Sequence, residues 1–362
     1  MEFAQIFTVP LYIDVIKVFL IGLFAFLFSL AWTPVLSGIL YKHFRTKTKK
    51  KTISGEHAPI TRKITKGKEG TPLMGGILVW VTVLVLAFFF YFLTFWVEEE
   101  SFVSNLNFFS RSQTWLPLFA LGATGIIGFF DDYFSTRGIG GNKGGGISFW
   151  YRLGWLSIIA LAGGLWFYFK LDYNSIHIPG FGDVAVGWFY ILYFVFIIIA
   201  TAFSSNETDG LDGLNGGVLL FSFSAFCLIA FFQERIDLAA FCAAICGGLL
   251  AFLWFNIYPA RFFMGDTGAF SLGTTLGVVA LLTNSSLVLP LISFIYVVEA
   301  LSVIIQLLSK KLRNGKKVFL AAPIHYHFRA KGWPESKVVM RFWIISAVMA
   351  AIGIVIGVLG SG

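Results

Sequence analysis

Residues 187–217 read G-W-F-Y-I-L-Y-F-V-F-I-I-I-A-T-A-F-S-S-N-E-T-D-G-L-D-G-L-N-G-G. No charged side chain occurs from Gly187 to Ser205. The run is too long for an ordinary strand and matches the roughly 20 apolar residues a helix needs to cross a hydrocarbon core about 30 Å thick. Directly after it come Asn206, Glu207, Asp209 and Asp212 among glycines. An apolar span that empties into an acidic, glycine-rich junction predicts a membrane helix delivering polar groups to an aqueous face.

Nine further runs of this kind lie at roughly 12–38, 73–96, 114–130, 148–169, 215–232, 238–256, 268–283, 287–309 and 341–360, separated by charged or turn-rich breaks. Of the 362 residues, 57% are hydrophobic and 13% charged, with a mean hydropathy of +0.81. Soluble domains carry about 25% charged residues, so a water-soluble monomer is excluded, as is a disordered chain. Three cysteines cannot build a disulfide scaffold; Cys227, Cys242 and Cys246 read as small buried hydrophobes. The first run contains Asp14 and Lys17 and lacks a small-residue cleavage site, so a retained helix is expected there. The expected fold is an all-α polytopic integral membrane protein of about ten transmembrane helices, a single domain over 1–362, without the inverted repeats of many transporters.

Basic residues near span ends stay on the cytoplasmic side. The loops near 39–72, 131–147, 206–214, 257–267 and 310–340, with the adjoining span ends, hold 23 of the 27 Lys and Arg. The other side holds Arg111, Lys170 and Arg235 and the acidic Glu98-Glu99-Glu100, while Lys17 lies inside the first span. Both termini are therefore expected outside, periplasmic or extracellular. The net charge of +8 reads either as this orientation signal or as a surface for anionic lipid or polyanionic substrate. Nucleic acid is excluded as a partner, because no basic stripe is interleaved with aromatics outside the spans.

Of 19 carboxylates, Asp131, Asp132, Glu207, Asp209, Asp212 and Asp266 fall at or beside span ends on this one face. Acids so placed are costly to desolvate and tend to mark ion or substrate sites. Asp131 and Asp132 follow the third span, and paired carboxylates suit a cation or a shared proton. Asp209 and Asp212 are three apart, so on a helix they share a face where the sixth span begins, with Asn206 and four glycines around them. Asn256 closes the seventh span. Asp266, between Gly265 and Gly268, suits Mg²⁺, which needs one or two protein carboxylates plus phosphate oxygens. Phe262 and Phe263 read either as stacking partners for a base or as interfacial aromatics. His325 and His327 project the same way if extended, a spacing open to zinc but lacking a third ligand, and beside Arg329 and Lys331 they suit phosphate contacts. A carboxylate cluster on a basic cytoplasmic face points to chemistry on a diphosphate with a membrane lipid.

Taken together, T-P-x-M-G-G at 71–76, D-D-Y at 131–133, N-x-T-D-G-L-D-G-L at 206–214, W-F-N-x-Y-P-A at 254–260, F-M-G-D-x-G at 263–268 and P-I-H-x-H at 323–327 resemble the phospho-N-acetylmuramoyl-pentapeptide-transferase family, within the polyprenyl-phosphate N-acetylhexosamine-1-phosphate transferases. The resemblance runs from about residue 30 to the C-terminus. It implies transfer of phospho-N-acetylmuramoyl-pentapeptide from its UDP carrier to undecaprenyl phosphate, with Mg²⁺, giving lipid I and UMP at a bacterial inner membrane, by a homodimer. It also implies that Asp266 ligates Mg²⁺ and that Asp131 and Asp132 deprotonate the lipid phosphate or position metal and phosphate. Asn206, Asp209, Asn256 and Phe263 would line the uridine and diphosphate pocket, with Thr71, Asp212, Gln306, His325 and His327 nearby.

Three residues depart from the family pattern. Ser135 stands for a lysine, Glu207 for an apolar residue and Tyr326 for a central histidine. The missing lysine leaves the phosphate-clamping cation open, with Lys143 or Arg137 as replacements in the glycine-rich 138–146 run and Lys66, Lys68 or Arg329 as alternatives. Competing functions are an N-acetylglucosamine-1-phosphate transferase and a non-enzymatic lipid transporter or binding protein. The last would place ionisable groups at mid-span, where only Glu299 and Gln306 are plainly polar.

Overall fold

The computed structural model describes residues 9–45, 70–98, 101–110, 113–140 and 145–360. Within these the elements are α1 (Val9–His43), α2 (Ile77–Leu93), α3 (Phe102–Asn105), α4 (Trp115–Arg137), α5 (Phe149–Lys170), β1 (Ser175–Ile178), β2 (Gly182–Ala185), α6 (Phe189–Thr208), α7 (Leu214–Phe232), α8 (Ile236–Asn256), α9 (Gly265–Leu282), α10 (Leu289–Ile292), α11 (Phe294–Leu312), α12 (Ile324–Ala330) and α13 (Glu335–Leu359). Seven helices, α1, α5, α6, α7, α8, α9 and α13, are long and apolar enough to cross a membrane. The three other expected spans coincide with α2, which is apolar but only 17 residues long, and with α4 and α11.

The arrangement follows from burying backbone, since lipid offers helices no hydrophobic reason to associate and close packing of small residues takes over. α9 is the innermost helix, against α4, α6, α7 and α2; α8 packs on α1, α7 and α2, and α13 closes on α7. Gly128 of α4 lies against the Asp266 carbonyl and Thr267 Cα of α9, where any side chain would overlap backbone. That contact brings the polar end of α4 directly onto the start of α9.

α11 is built inside out. Its buried stripe is polar, with Glu299, Ser302, Gln306 and Ser309, while Leu301, Ile304, Ile305, Leu307 and Leu308 are exposed. Charge inside α1 is likewise paired: Lys17 Nζ donates to Asp237 Oδ1 at 2.7 Å and to the Asn107 carbonyl at 2.9 Å.

Several expectations are corrected. The fold is not purely helical, because β1 and β2 form an antiparallel hairpin with Ile176 opposite Val184. β-Branched residues around a Pro-Gly turn favour that pairing in a short extramembrane connection. Asp131 and Asp132 do not follow a helix end; α4 continues to Arg137 and stops at Gly138, whose φ of 70° supplies the left-handed cap. Asp209 and Asp212 do not share a helix face, since α6 ends at Thr208 and α7 starts at Leu214, leaving both in the intervening turn.

Candidate active site

Four segments meet beyond the apolar part of α4. Asp131 and Asp132 come from α4, Asn206 from the end of α6, Gly265-Asp266-Thr267 from the start of α9, and Arg152 from the first turn of α5. Asp132 is buried and its Oδ2 accepts from the Thr267 amide at 3.0 Å. A helix start leaves its first N–H groups unpaired, and this carboxylate satisfies one of them across the helix–helix contact. Asp131, also buried, accepts from the Ile147 amide at 2.6 Å and from Arg152 Nη1 at 3.2 Å. The same Arg152 Nη1 reaches Asp266 Oδ2 at 3.2 Å, and Asn206 Nδ2 donates to Asp266 Oδ1 at 2.6 Å. Gly265 has a φ of 75°, and its amide donates to Asp209 Oδ2 at 3.0 Å.

Three carboxylates around one guanidinium do not balance. Burial first, then the Asp266 charge, pushes the Asp131 carboxyl up to about 8, against the opposing pull of Arg152 and the Ile147 amide. The same two causes hold Asp132 well above the usual carboxylate range. Arg152 Nε is buried and has no partner among the described residues. Among the described residues no three His, Cys, Asp or Glu side chains close a metal site. An open set of one or two carboxylates is the arrangement Mg²⁺ uses when phosphate oxygens and water complete its shell, and Asp266 with Asp131 fits it.

A family model described as Glycosyl transferase family 4 matches residues 114–284, the stretch that contains Asp131, Asp132, Arg152, Asn206, Asp209 and Asp266. The phospho-N-acetylmuramoyl-pentapeptide-transferase of Listeria monocytogenes is 36% identical over 293 residues, covering 81% of this chain and 86% of that protein. The protein of that name from Syntrophus aciditrophicus is 39% identical over 305 residues, covering 79% and 80%. The one from Listeria welshimeri is 38% identical over 293 residues, covering 81% and 86%. The chain belongs to the phospho-N-acetylmuramoyl-pentapeptide-transferase family.

Against that family's pattern, the residues sort by what they touch. Asp131, Asp132, Asn206, Asp209 and Asp266 converge, and the segments carrying Thr71 and Phe263 are tied together where the Phe263 amide donates to the Pro72 carbonyl at 2.9 Å. Asp212, Asn256 and Gln306 bond to backbone. Asp212 accepts from the Ala260 amide at 3.0 Å, and Asn256 accepts from the Gly213 amide at 2.9 Å while donating to the Phe262 carbonyl at 2.7 Å. Gln306 binds the backbone of Val318 and Phe319. Asp212 and Asn256 fasten the turn before α7 to the segment between α8 and α9, and Gln306 fastens the connection after α11.

His325 and His327 do not project together, because α12 is helical and an i, i+2 pair on a helix faces apart. His325 is fully buried with Nδ1 3.0 Å from Glu299 Oε2, whereas His327 Nδ1 accepts from the Leu320 amide at 3.1 Å. The zinc alternative falls with that geometry. Phe262 is fully buried against Phe252 and Phe255, so it stacks on no base. Arg329 is engaged by the Trp333 carbonyl and lies 4.0 Å from Glu335, and Arg137 lies over the Tyr133 ring at 5.5 Å. Neither reaches the carboxylates. Lys66, Lys68 and Lys143 lie outside the described residues. Among the described residues the cation paired with these carboxylates is Arg152, which sequence reasoning counted only toward orientation. Its signal was weak but present: a lone Arg at the start of an apolar helix on the acidic face.

Proposed function

We propose that this chain transfers phospho-N-acetylmuramoyl-pentapeptide from UDP-N-acetylmuramoyl-pentapeptide to undecaprenyl phosphate at the cytoplasmic face of a bacterial inner membrane, giving lipid I and UMP. The reading rests on Asp131, Asp132, Asp266 and Arg152 meeting at one point in a chain whose named relatives span four-fifths of it. It includes ten spans forming one domain, both termini outside, with α2, α4 and α11 joining the seven longer apolar helices, and a homodimer as the working assembly.

An oxygen of the lipid phosphate attacks the sugar-linked phosphorus. A new P–O bond forms, the bond from that phosphorus to the bridging oxygen breaks, and the electron pair leaves with UMP. Asp131 or Asp132 takes any proton the lipid phosphate still carries. Arg152 offsets charge on the diphosphate with the donors it does not spend on Asp131 and Asp266, and Asn206 holds Asp266 in orientation. Asp266 and Asp131 would hold Mg²⁺, which would supply further charge neutralisation on the diphosphate. Asp209, Asn256, Phe263, Thr71, Asp212, Gln306, His325 and His327 form or brace the uridine and diphosphate pocket. Positioning and charge neutralisation supply most of the catalysis in phosphoryl transfer, so no covalent enzyme intermediate is required.

Incubating the purified protein with undecaprenyl phosphate and either UDP-N-acetylmuramoyl-pentapeptide or UDP-N-acetylglucosamine tests the assignment. UMP and a lipid-linked product are expected with the first donor alone. Product with the second assigns the other sugar, and product with neither leaves a binding protein. Without lipid acceptor, labelled UMP is expected not to exchange into the UDP-sugar; exchange would establish a carboxylate nucleophile in place of direct attack.

The raised Asp131 pKa gives a second check. A carboxyl shifted upward is largely protonated below its pKa and must release that proton to bind a cation, so Mg²⁺ affinity rises with pH through this range. The thermal stabilisation produced by added Mg²⁺ is expected to be larger at about pH 8.5 than at about pH 6.5. An equal or smaller shift at the higher pH would remove Asp131 from the cation site.

A further inference from the structure

The connection from α11 to α12, fastened by Gln306, carries exposed aliphatic and basic side chains that membrane orientation alone does not require. From Lys310 to Leu320 it reads K-K-L-R-N-G-K-K-V-F-L, and no acid occurs between Glu299 and Glu335. Its backbone is folded back on α11. Ser309 Oγ donates to the Lys316 carbonyl at 2.9 Å, Gln306 Oε1 accepts from the Val318 and Phe319 amides at 3.0 Å each, and Gln306 Nε2 donates to the Phe319 carbonyl at 2.9 Å.

Gln306 precedes the end of α11 at Leu312 by a distance of about 9 Å along the helix axis, at 1.5 Å per residue. Residues 318–320 therefore sit below the helix end, at the level where Ile304, Ile305, Leu307 and Leu308 face outward. Val318 and Leu320 are each 48% exposed and Leu312 is 77% exposed, adding apolar surface at that level. Lys311, Arg313, Lys316 and Lys317 are exposed around it, with Lys310 half-buried. Among the described residues none of these five cations takes part in an ion pair.

We propose that this hairpin is a seat for anionic glycerophospholipids of the cytoplasmic leaflet. Leu312, Val318 and Leu320 enter the boundary between headgroups and acyl chains, and the basic side chains extend along it to the lipid phosphates. Apolar residues that dip a few ångströms into this boundary and cations that reach back to the headgroups are the two elements of interfacial binding, and anionic headgroups attract basic segments beside a membrane helix. An orientation signal asks only for charge on the correct side. It has no use for exposed aliphatic residues between the lysines or for a glutamine that clamps them at membrane depth. The occupant is lipid because the apolar face merges with the outward surface of α11 while the charges ring its aqueous edge. The hairpin is tied to α12, where the Leu320 amide donates to His327 Nδ1 at 3.1 Å.

This inference rests on α11 being a membrane span, so the test carries a probe for each. Val318→Cys and Ile304→Cys are labelled separately with an environment-sensitive fluorophore in the full chain, with the wild-type chain labelled in parallel to correct for native thiols. Each is reconstituted, without undecaprenyl phosphate, into vesicles of phosphatidylcholine containing either brominated phosphatidylglycerol or brominated phosphatidylcholine. Ile304 is expected to be quenched by both lipids alike, and Val318 severalfold more by the phosphatidylglycerol. Replacing Lys310, Lys311, Lys316 and Lys317 by Gln is expected to erase that preference while leaving Ile304 unchanged. Equal quenching of Val318 by both lipids, or none while Ile304 is quenched, overturns the seat and in the second case places the hairpin in water or against protein. An unquenched Ile304 overturns the span assignment beneath it.

Discussion

Asp266→Asn is expected to lower turnover by roughly 10²- to 10³-fold, the usual cost of removing one charge-stabilising group from a reacting centre. Asparagine keeps the side-chain shape and can still accept from Asn206 Nδ2 through its carbonyl oxygen, a contact of 2.6 Å in the wild-type protein. It loses the negative charge that faces Arg152 and that would hold Mg²⁺. Because the start of α9 is also held by Asp132 and Asp209 through backbone amides, the fold is expected to survive, which circular dichroism and melting temperature verify. UMP release measured across a Mg²⁺ titration separates the roles. A variant with near wild-type turnover at limiting Mg²⁺ would mean that Asp266 is not the cation's ligand.

Arg152→Ala is expected to be comparably severe, a loss of roughly 10²- to 10³-fold in kcat. One guanidinium nitrogen lies 3.2 Å from both Asp131 and Asp266, so its removal takes away the cation that, among the described residues, pairs with these carboxylates. Arg152→Lys keeps the charge but loses the planar fork that spans two acceptors, and a partial recovery is expected. Arg137→Ala is the control: its guanidinium lies over the Tyr133 ring and turnover is expected to be close to wild type. Charge deletion at a buried cluster can also unsettle the fold, so yield and melting temperature are measured alongside. An Arg152→Ala protein with intact kcat, or an Arg137→Ala protein that is inactive yet folded, would reassign the clamp.

Both results bear on how the site could be read from the chain. Its acids were legible because lipid makes a carboxylate at a span end too costly to occur by accident. The positive-inside bias predicts a single face for Asp131, Asp132, Asp209 and Asp266, and the four acids meet around the start of α9. Arg152 was hidden by the same bias, since a basic residue at the start of an inner-face helix already has an explanation. The two histidines were misread for a different reason. A seven-residue helix has too little periodicity to show itself, and an alternating pair fits an extended segment equally well.

The sequence alone determined that this is a polytopic helical membrane protein and roughly where its helices run. Each of these follows from the solvent: a hydrocarbon core sets the length of an apolar run and rejects charge, so composition and spacing record them directly. Tertiary structure alone decided which acids share a cation and which fasten loops. Asp209 holds the start of α9 and Asp212 the turn at Ala260, yet both occur in the same glycine-rich motif. It also decided that α11 turns its polar stripe inward and that Phe262 is core while Phe263 is half-buried. These outcomes depend on which helices approach closely enough for a carboxylate of one to meet an amide of another, as Gly128 allows between α4 and α9. Such approaches are set by pairwise packing across segments more than a hundred residues apart in the chain, and no local pattern encodes them.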